Sequence, residues 1–159
     1  MAALRTSTEV IAIKTPLVKA PAAGNPPPPD GPGPRAHILI VEDHDDSREM
    51  LRQLLELEGY DVEVAEDGRR GVDAALAHPP LIALIDLGLP VLDGYEVART
   101  IRNRLGQTVW LMALTSRTTP ADRRRSADAG YDLHVAKPVA PDRLRGILRD
   151  IVSRAKIPS

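Results

Sequence analysis

Four short apolar segments of this chain end in residues that can do chemistry. His37 to Val41 runs into Glu42-Asp43, Leu81 to Ile85 into Asp86, Val109 to Leu114 into Thr115, and Leu133 to Ala136 into Lys137. Together they supply three carboxylates, one hydroxyl and one ammonium. Brought to one place, the carboxylates repel one another unless a cation lies among them, and hard oxygen donors of this kind suit Mg²⁺. A metal and an ammonium neutralise the oxygens of a phosphoryl group in transfer, while a carboxylate serves as nucleophile. The residue types therefore suit phosphoryl transfer, provided the fold gathers the four segment ends.

The periodicity predicts such a fold. The continuous apolar runs at His37 to Val41 and Leu81 to Ile85 read as strands covered on both faces. Asp61 to Ala65 alternates polar and apolar, reads as a strand nearer an edge, and ends in nothing reactive. Helical patterns separate the strands. Ser47 to Glu58 carries Met50, Leu51, Leu54, Leu55 and Leu57 on one face and is capped by Gly59, and Arg69 to His78 is stopped by Pro79-Pro80. Tyr95 to Leu105 is closed by Gly106, and Thr118-Thr119-Pro120 with Asp122 starts a helix that ends at Gly130. Pro141-Asp142 opens the last helix, with Leu144, Ile147, Leu148, Ile151 and Val152 as its apolar stripe. Five strand–helix units in succession predict an α/β fold, a doubly wound five-stranded parallel sheet with helices on both faces. Ligands of such sheets bind outside the carboxyl ends of the strands, where the reactive residues stand.

Composition narrows the alternatives. A net charge of -1 over 159 residues excludes an overall electrostatic clamp for nucleic acid, and 3% aromatics with no Phe leaves few platforms for stacking bases. The absence of Cys excludes disulfides and thiolate chemistry. The apolar runs are far short of the ~20 residues of a membrane span, and Val10 to Ile13, followed by Lys14, is too short for a secretory signal. A cytoplasmic setting is the expectation. Eight of the 15 prolines fall between Pro16 and Pro34, so residues 1–35 are expected to form a disordered, Pro-rich tail or linker. The β-prone patch Val10, Ile11 and Ile13 has no neighbour in sequence to pair with and is expected to fray. The folded domain is then 36–154, followed by a short tail at 155–159.

Taken together, Val41-Glu42-Asp43, Asp86-Leu87-Gly88-Leu89-Pro90 with Asp93-Gly94-Tyr95-Glu96, Ala113-Leu114-Thr115-Ser116 and Lys137-Pro138 resemble the receiver domain of two-component response regulators in order, spacing and strand placement. The resemblance implies the flavodoxin-like strand order 2-1-3-4-5, which makes the four functional strand ends neighbours. It implies Asp86 as the phospho-accepting nucleophile, taking its phosphoryl group from the phosphohistidine of a histidine kinase or histidine phosphotransfer domain. It implies Mg²⁺ bound directly by Asp43 and Asp86, by Glu42 through water, and by the backbone carbonyl of Gly88. Lys137 would pair with one phosphoryl oxygen and Thr115 would donate a hydrogen bond to another. The Lys-Pro peptide bond of the family is usually cis. The chain would be a phosphoryl acceptor rather than an enzyme, with at most slow autodephosphorylation.

Two positions depart from the family. His134 stands where Tyr or Phe often swings inward as the Thr115 hydroxyl engages the phosphoryl group, so the switch role falls to an imidazole or to none. Gly88 lacks a side chain that would shield an aspartyl phosphate from water, and Arg117 is near enough in sequence to supply charge instead. Residues 36–95 hold 4 Lys/Arg against 14 Asp/Glu, a net of -10, whereas residues 117–154 hold 9 against 5, a net of +4. Arg123-Arg124-Arg125 reads as a solvated helix face, and no direct nucleic-acid contact is expected.

Other readings of the same residues remain. Asp43-His44-Asp45-Asp46-Ser47 resembles the nucleophile loop of haloacid-dehalogenase-type phosphatases, with Asp43 as nucleophile and Asp45 as acid/base, but that leaves Asp86 unexplained. A receiver-like interaction module that takes no phosphate is the third reading, against which the intact Asp86, Thr115 and Lys137 argue. A calcium loop starting at Asp43 is excluded because its twelfth position is Leu54. Thr6 to Pro16 faintly resembles the final strand of a histidine-kinase ATP-binding domain, and a Pro-rich linker followed by a receiver is how hybrid sensor kinases end. The signal, the output and the oligomeric state are not legible in the sequence.

Overall fold

The computed structural model describes residues 10–12 and 35–156. Its strands are β1 (Val10–Ala12), β2 (His37–Val41), β3 (Asp61–Ala65), β4 (Ile82–Asp86), β5 (Trp110–Thr115) and β6 (Leu133–Ala136). Its helices are α1 (Asp45–Leu57), α2 (Gly68–Ala77), α3 (Gly94–Leu105), α4 (Pro120–Ala129) and α5 (Pro141–Lys156). The strands form one sheet in the order β1-β6-β5-β4-β2-β3. β2 to β6 are mutually parallel, and numbered among themselves they give the order 2-1-3-4-5.

Strand alternation splits the core in two. Leu39, Val41, Ala83, Ile85, Leu111 and Ala113 face α2 and α3, packing with Val72, Ala75, Val97 and Ile101. Ile38, Ile40, Ile82, Leu84, Met112 and Leu114 face the other way, against Leu51 and Leu55 of α1 and Leu144, Leu148 and Ile151 of α5. All five residues of β4 are buried, as a central strand covered on both faces requires.

The helix starts are chemical as well as positional. Asp67 accepts from the Arg70 amide, and Asp93 accepts from the amides of Tyr95 and Glu96. Thr119 and Asp122 form a reciprocal capping box behind Pro120, and Gly130 ends α4 at φ +112°. α1 begins at Asp45, two residues before the expected Ser47, with two acidic residues in its first turn. α5 continues to Lys156 with Ala155 buried, beyond the boundary expected at 154. Gly94 could not be another residue without movement, because a Cβ there would lie 2.7 Å from Leu87 Cα and 2.8 Å from the Asp86 carbonyl oxygen. That close approach holds the segment after β4 against the start of α3.

Two features differ from the sequence reading: Met50 and Leu57, expected on the apolar face of α1, lie outside its buried stripe and are exposed, and the amino-terminal patch is ordered. Instead of fraying, Val10–Ala12 pairs antiparallel with β6, placing Val10 opposite Val135, Ile11 opposite His134 and Ala12 opposite Leu133. Its partner lies more than 120 residues along the chain, so nothing local could have revealed it. The remaining residues of the expected tail, 1–9 and 13–34, and the tail at 157–159, lie outside the described residues. Among the described residues no helix is long and apolar enough to cross a membrane.

Candidate phosphoacceptor site

The register explains why the reactive residues meet. Val41 pairs with Ile85 and Asp86 with Leu114, so the ends of β2, β4 and β5 stand side by side, and Thr115 pairs with Ala136, next to Lys137. Asp86 is 8% exposed, Thr115 4% and Glu42 fully buried, so all three polar groups are withdrawn from bulk solvent. A cavity of about 390 Å³ opens above them.

Lys137 ties the floor together. Its Nζ donates to Glu42 Oε1 at 3.1 Å and lies 3.4 Å from Asp86 Oδ2. Burial draws its pKa down, but Asp86 and Glu42 outweigh burial and hold it above the ordinary lysine value, so the side chain is an ammonium. The Lys137-Pro138 peptide bond is cis, as the resemblance implied. The other oxygen of Asp86, Oδ1, accepts from the Gly88 amide at 3.1 Å. A Cβ on Gly88 would meet only that same Oδ1, at 3.9 Å, so the approach to the carboxylate is open on this side. Thr115 Oγ1 accepts from the Arg117 amide at 3.0 Å, which fixes the hydroxyl at the pocket wall.

Asp43 sits at the rim, its side chain 30% exposed. Its Oδ1 is withdrawn from solvent without a hydrogen-bond partner, and the His44 ring stands 3.6 Å away. A buried, unsatisfied carboxylate oxygen beside Glu42 is what a cation site needs, so the residues present fit Mg²⁺. The structure offers no comparable setting for Asp43 as a nucleophile. The ammonium pairs with Glu42 and Asp86 rather than with Asp43.

His134 is 1% exposed. Its Nε2 lies 2.9 Å from the Arg117 carbonyl oxygen, which can only accept, so this nitrogen carries the hydrogen. Nδ1 then accepts from Ser126 Oγ at 3.0 Å. Burial, the largest influence, pushes its pKa below the ordinary histidine value. The ring is thus neutral, inward, and joined to the residue two after Thr115.

Two groups at the site escaped the sequence reading. His44 lines the cavity, and its amide donates to Glu42 Oε2 at 3.1 Å. Its place directly after Glu42-Asp43 was the available signal. Arg125 also lines the cavity, its guanidinium 3.9 Å over the ring of Tyr95, and Arg123 is half-buried, so of the three arginines only Arg124 fits the plain solvated face expected. Arg117 lines the cavity as its sequence position suggested.

Comparison with known proteins agrees with this geometry. The family described as the response regulator receiver domain matches residues 38–149. The response regulator MprA of Mycolicibacterium vanbaalenii is 37% identical over 117 residues, which cover 74% of this chain and 50% of that protein. MprA of Mycobacterium tuberculosis is 36% identical over 119 residues, covering 75% and 51%. The chain therefore spans about half the length of these relatives. Among solved structures, the receiver domain of the sensor histidine kinase PA1611 from Pseudomonas aeruginosa, which has magnesium in its active-site cleft, is 33% identical with a TM-score of 0.69, covering 75% of this chain and 98% of that one. Vibrio cholerae CheY4, a chemotaxis protein, is 27% identical with a TM-score of 0.70, covering 74% and 98%. With its pocket, its strand order and these relatives in agreement, the chain belongs to the response regulator receiver domain family of two-component signalling.

Proposed function

We propose that this domain accepts a phosphoryl group on Asp86 from the phosphohistidine of a histidine kinase or histidine phosphotransfer domain. A carboxylate oxygen of Asp86 attacks phosphorus, the P–N bond breaks, and the imidazole leaves with the electron pair. The observation that carries this reading is the ammonium of Lys137 held between Glu42 and Asp86 at the floor of an open pocket. There it faces the oxygens on which negative charge accumulates. Thr115 is positioned to donate to a second phosphoryl oxygen.

Asp43, Asp86 and the Gly88 carbonyl would hold Mg²⁺ directly and Glu42 through water. The bound cation supplies charge neutralisation at the phosphoryl oxygens. The unpartnered Oδ1 of Asp43 supports this assignment. The domain acts as an acceptor rather than an enzyme, with only slow loss of the phosphoryl group to water through the open side at Gly88. His134 serves as the switch residue, its Nε2–Arg117 link coupling it to the backbone beside Thr115. The cytoplasm is the compartment in which such partners meet.

The test is incubation with acetyl phosphate and Mg²⁺, followed by mass spectrometry. One phosphoryl group should be found on Asp86, and none on the Asp86→Asn variant. Equal labelling of that variant would overturn the reading, and no labelling of the native chain would leave a receiver-like binding module in its place.

A further inference from the structure

At the pole of the sheet opposite Asp86, three side chains from separate elements converge. They are His37 at the start of β2, Glu63 in β3 and His78 at the carboxyl end of α2. His37 and Glu63 project from the same face because His37 pairs with Asp61, two residues before Glu63. α2 returns its end to that pole because it runs back along the sheet. One ligand atom from each of the three lies within 4.8 Å of the others.

The protonation pattern makes this more than proximity. His37 Nδ1 lies 3.2 Å from the Asp61 carbonyl oxygen and 3.3 Å from Asp61 Oδ2. Both can only accept, so Nδ1 carries a hydrogen, and in the neutral ring Nε2 presents a lone pair. That lone pair is 3.3 Å from Glu63 Oε1, itself an acceptor. Both atoms are withdrawn from solvent, and although close they form no hydrogen bond. A proton shared between them would need the two atoms to point at each other. Donor atoms from three side chains within 4.8 Å of one another, two of them withdrawn from solvent with no hydrogen-bond partner, suit a metal ion instead.

His78 Nδ1 approaches the same Glu63 oxygen, at 3.9 Å. Around tetrahedral zinc, bonds of about 2.0–2.2 Å place neighbouring ligand atoms roughly 3.2–3.6 Å apart. The His37–Glu63 separation already meets this, and the largely exposed His78 ring needs only a small rotation. Asp61 behind His37 completes the carboxylate–histidine arrangement that orients metal-bound imidazoles.

We propose that His37, Glu63 and His78 form a zinc site, separate from the Mg²⁺ pocket, that clamps the end of α2 to β2 and β3. Two imidazoles and one carboxylate suit a borderline divalent metal rather than Mg²⁺ or Ca²⁺. Three protein ligands leave the outer position to water.

The experiment uses the full chain, free of any added histidine tag, stripped with chelator and titrated with Zn²⁺ or Co²⁺ alone in excess Mg²⁺. One equivalent should bind, with ring-nitrogen NMR shifts at His37 and His78 while His134 stays unmoved. His78→Ala, a change at an exposed ring, should weaken binding about 100-fold or more, the upper end of what loss of a supporting partner alone causes. Glu63→Gln should do the same, and Asp43→Asn should leave affinity unchanged. The proposal fails if no saturable one-to-one binding occurs, if His78→Ala and Glu63→Gln bind as tightly as the native chain, or if Asp43→Asn abolishes binding.

Discussion

Replacing Lys137 with Ala removes the one ammonium shared by two buried carboxylates. Breaking a buried ion pair by deleting one partner costs about 3–5 kcal/mol. The figure here should be smaller. Lys137 keeps 28% of its side chain exposed, Glu42 retains the His44 amide at 3.1 Å, and Asp86 retains the Gly88 amide at 3.1 Å. A loss of about 2 kcal/mol follows, or roughly 6–12 °C in Tm for a domain of this size. The cause is uncompensated negative charge, so the deficit has a signature. It should narrow in saturating Mg²⁺, whose charge can replace that of the ammonium. In the native chain the raised pKa of Lys137 means that its contribution is complete below about pH 10.5 and is lost above it. Thermal melts of both proteins at pH 8, with chelator and with Mg²⁺, measure all four corners. A deficit below about 0.5 kcal/mol, or one indifferent to Mg²⁺, would refute the assignment of the ammonium as the charge holding the pocket together.

Asp43→Ala should weaken Mg²⁺ binding at least 10-fold in a calorimetric titration while leaving Tm in chelator unchanged or higher, since it deletes a charge whose buried oxygen has no partner. Asp132→Ala should cost about 2 kcal/mol in urea unfolding, because it leaves the Leu111 amide, 2.9 Å from Asp132 Oδ2, without that acceptor and removes the counter-charge 3.0 Å from the Arg102 guanidinium, which keeps its carbonyl partners. His134 has a lowered pKa in the folded state, so the unfolded chain takes up its proton first and stability falls as pH drops below about 6.5. Unfolding at pH 7.5 and 5.5 should show that decline, by at most about 1.4 kcal/mol per pH unit, and His134→Ala should lack this part of it.

Much of the site was legible because each reactive residue ends an apolar run, and a run that must be a buried strand fixes where its last residue points. Asp86, Thr115 and Lys137 follow from that rule without knowledge of any loop. The rule is silent where position depends on partners distant in sequence. Arg102, inside the run Ile101-Arg102-Asn103-Arg104, reads as one more surface charge. In the structure it bridges the carbonyls of Gly106, Val109 and Gly130 to Asp132, thirty residues away. Arg125 looked like its neighbours Arg123 and Arg124 until α4 was placed over Tyr95. His44 escaped because its role comes from a loop conformation, and the pairing of β1 because an antiparallel partner can lie anywhere along the chain.

That pairing bears on self-association. An exposed strand edge invites a further strand, from another copy or another protein. In this sheet the β6 edge is taken by β1, tethered through the 24 residues between Ala12 and His37, which holds it at an effective concentration of order millimolar. A strand arriving in trans would have to out-compete that local supply. The opposite edge is β3, whose Asp61 and Glu63 place charge along it, the usual deterrent to strand addition. β1 is itself the outer strand at that end, so growth of the sheet from copy to copy is opposed there by the shortness of a three-residue edge strand and at the other end by charge.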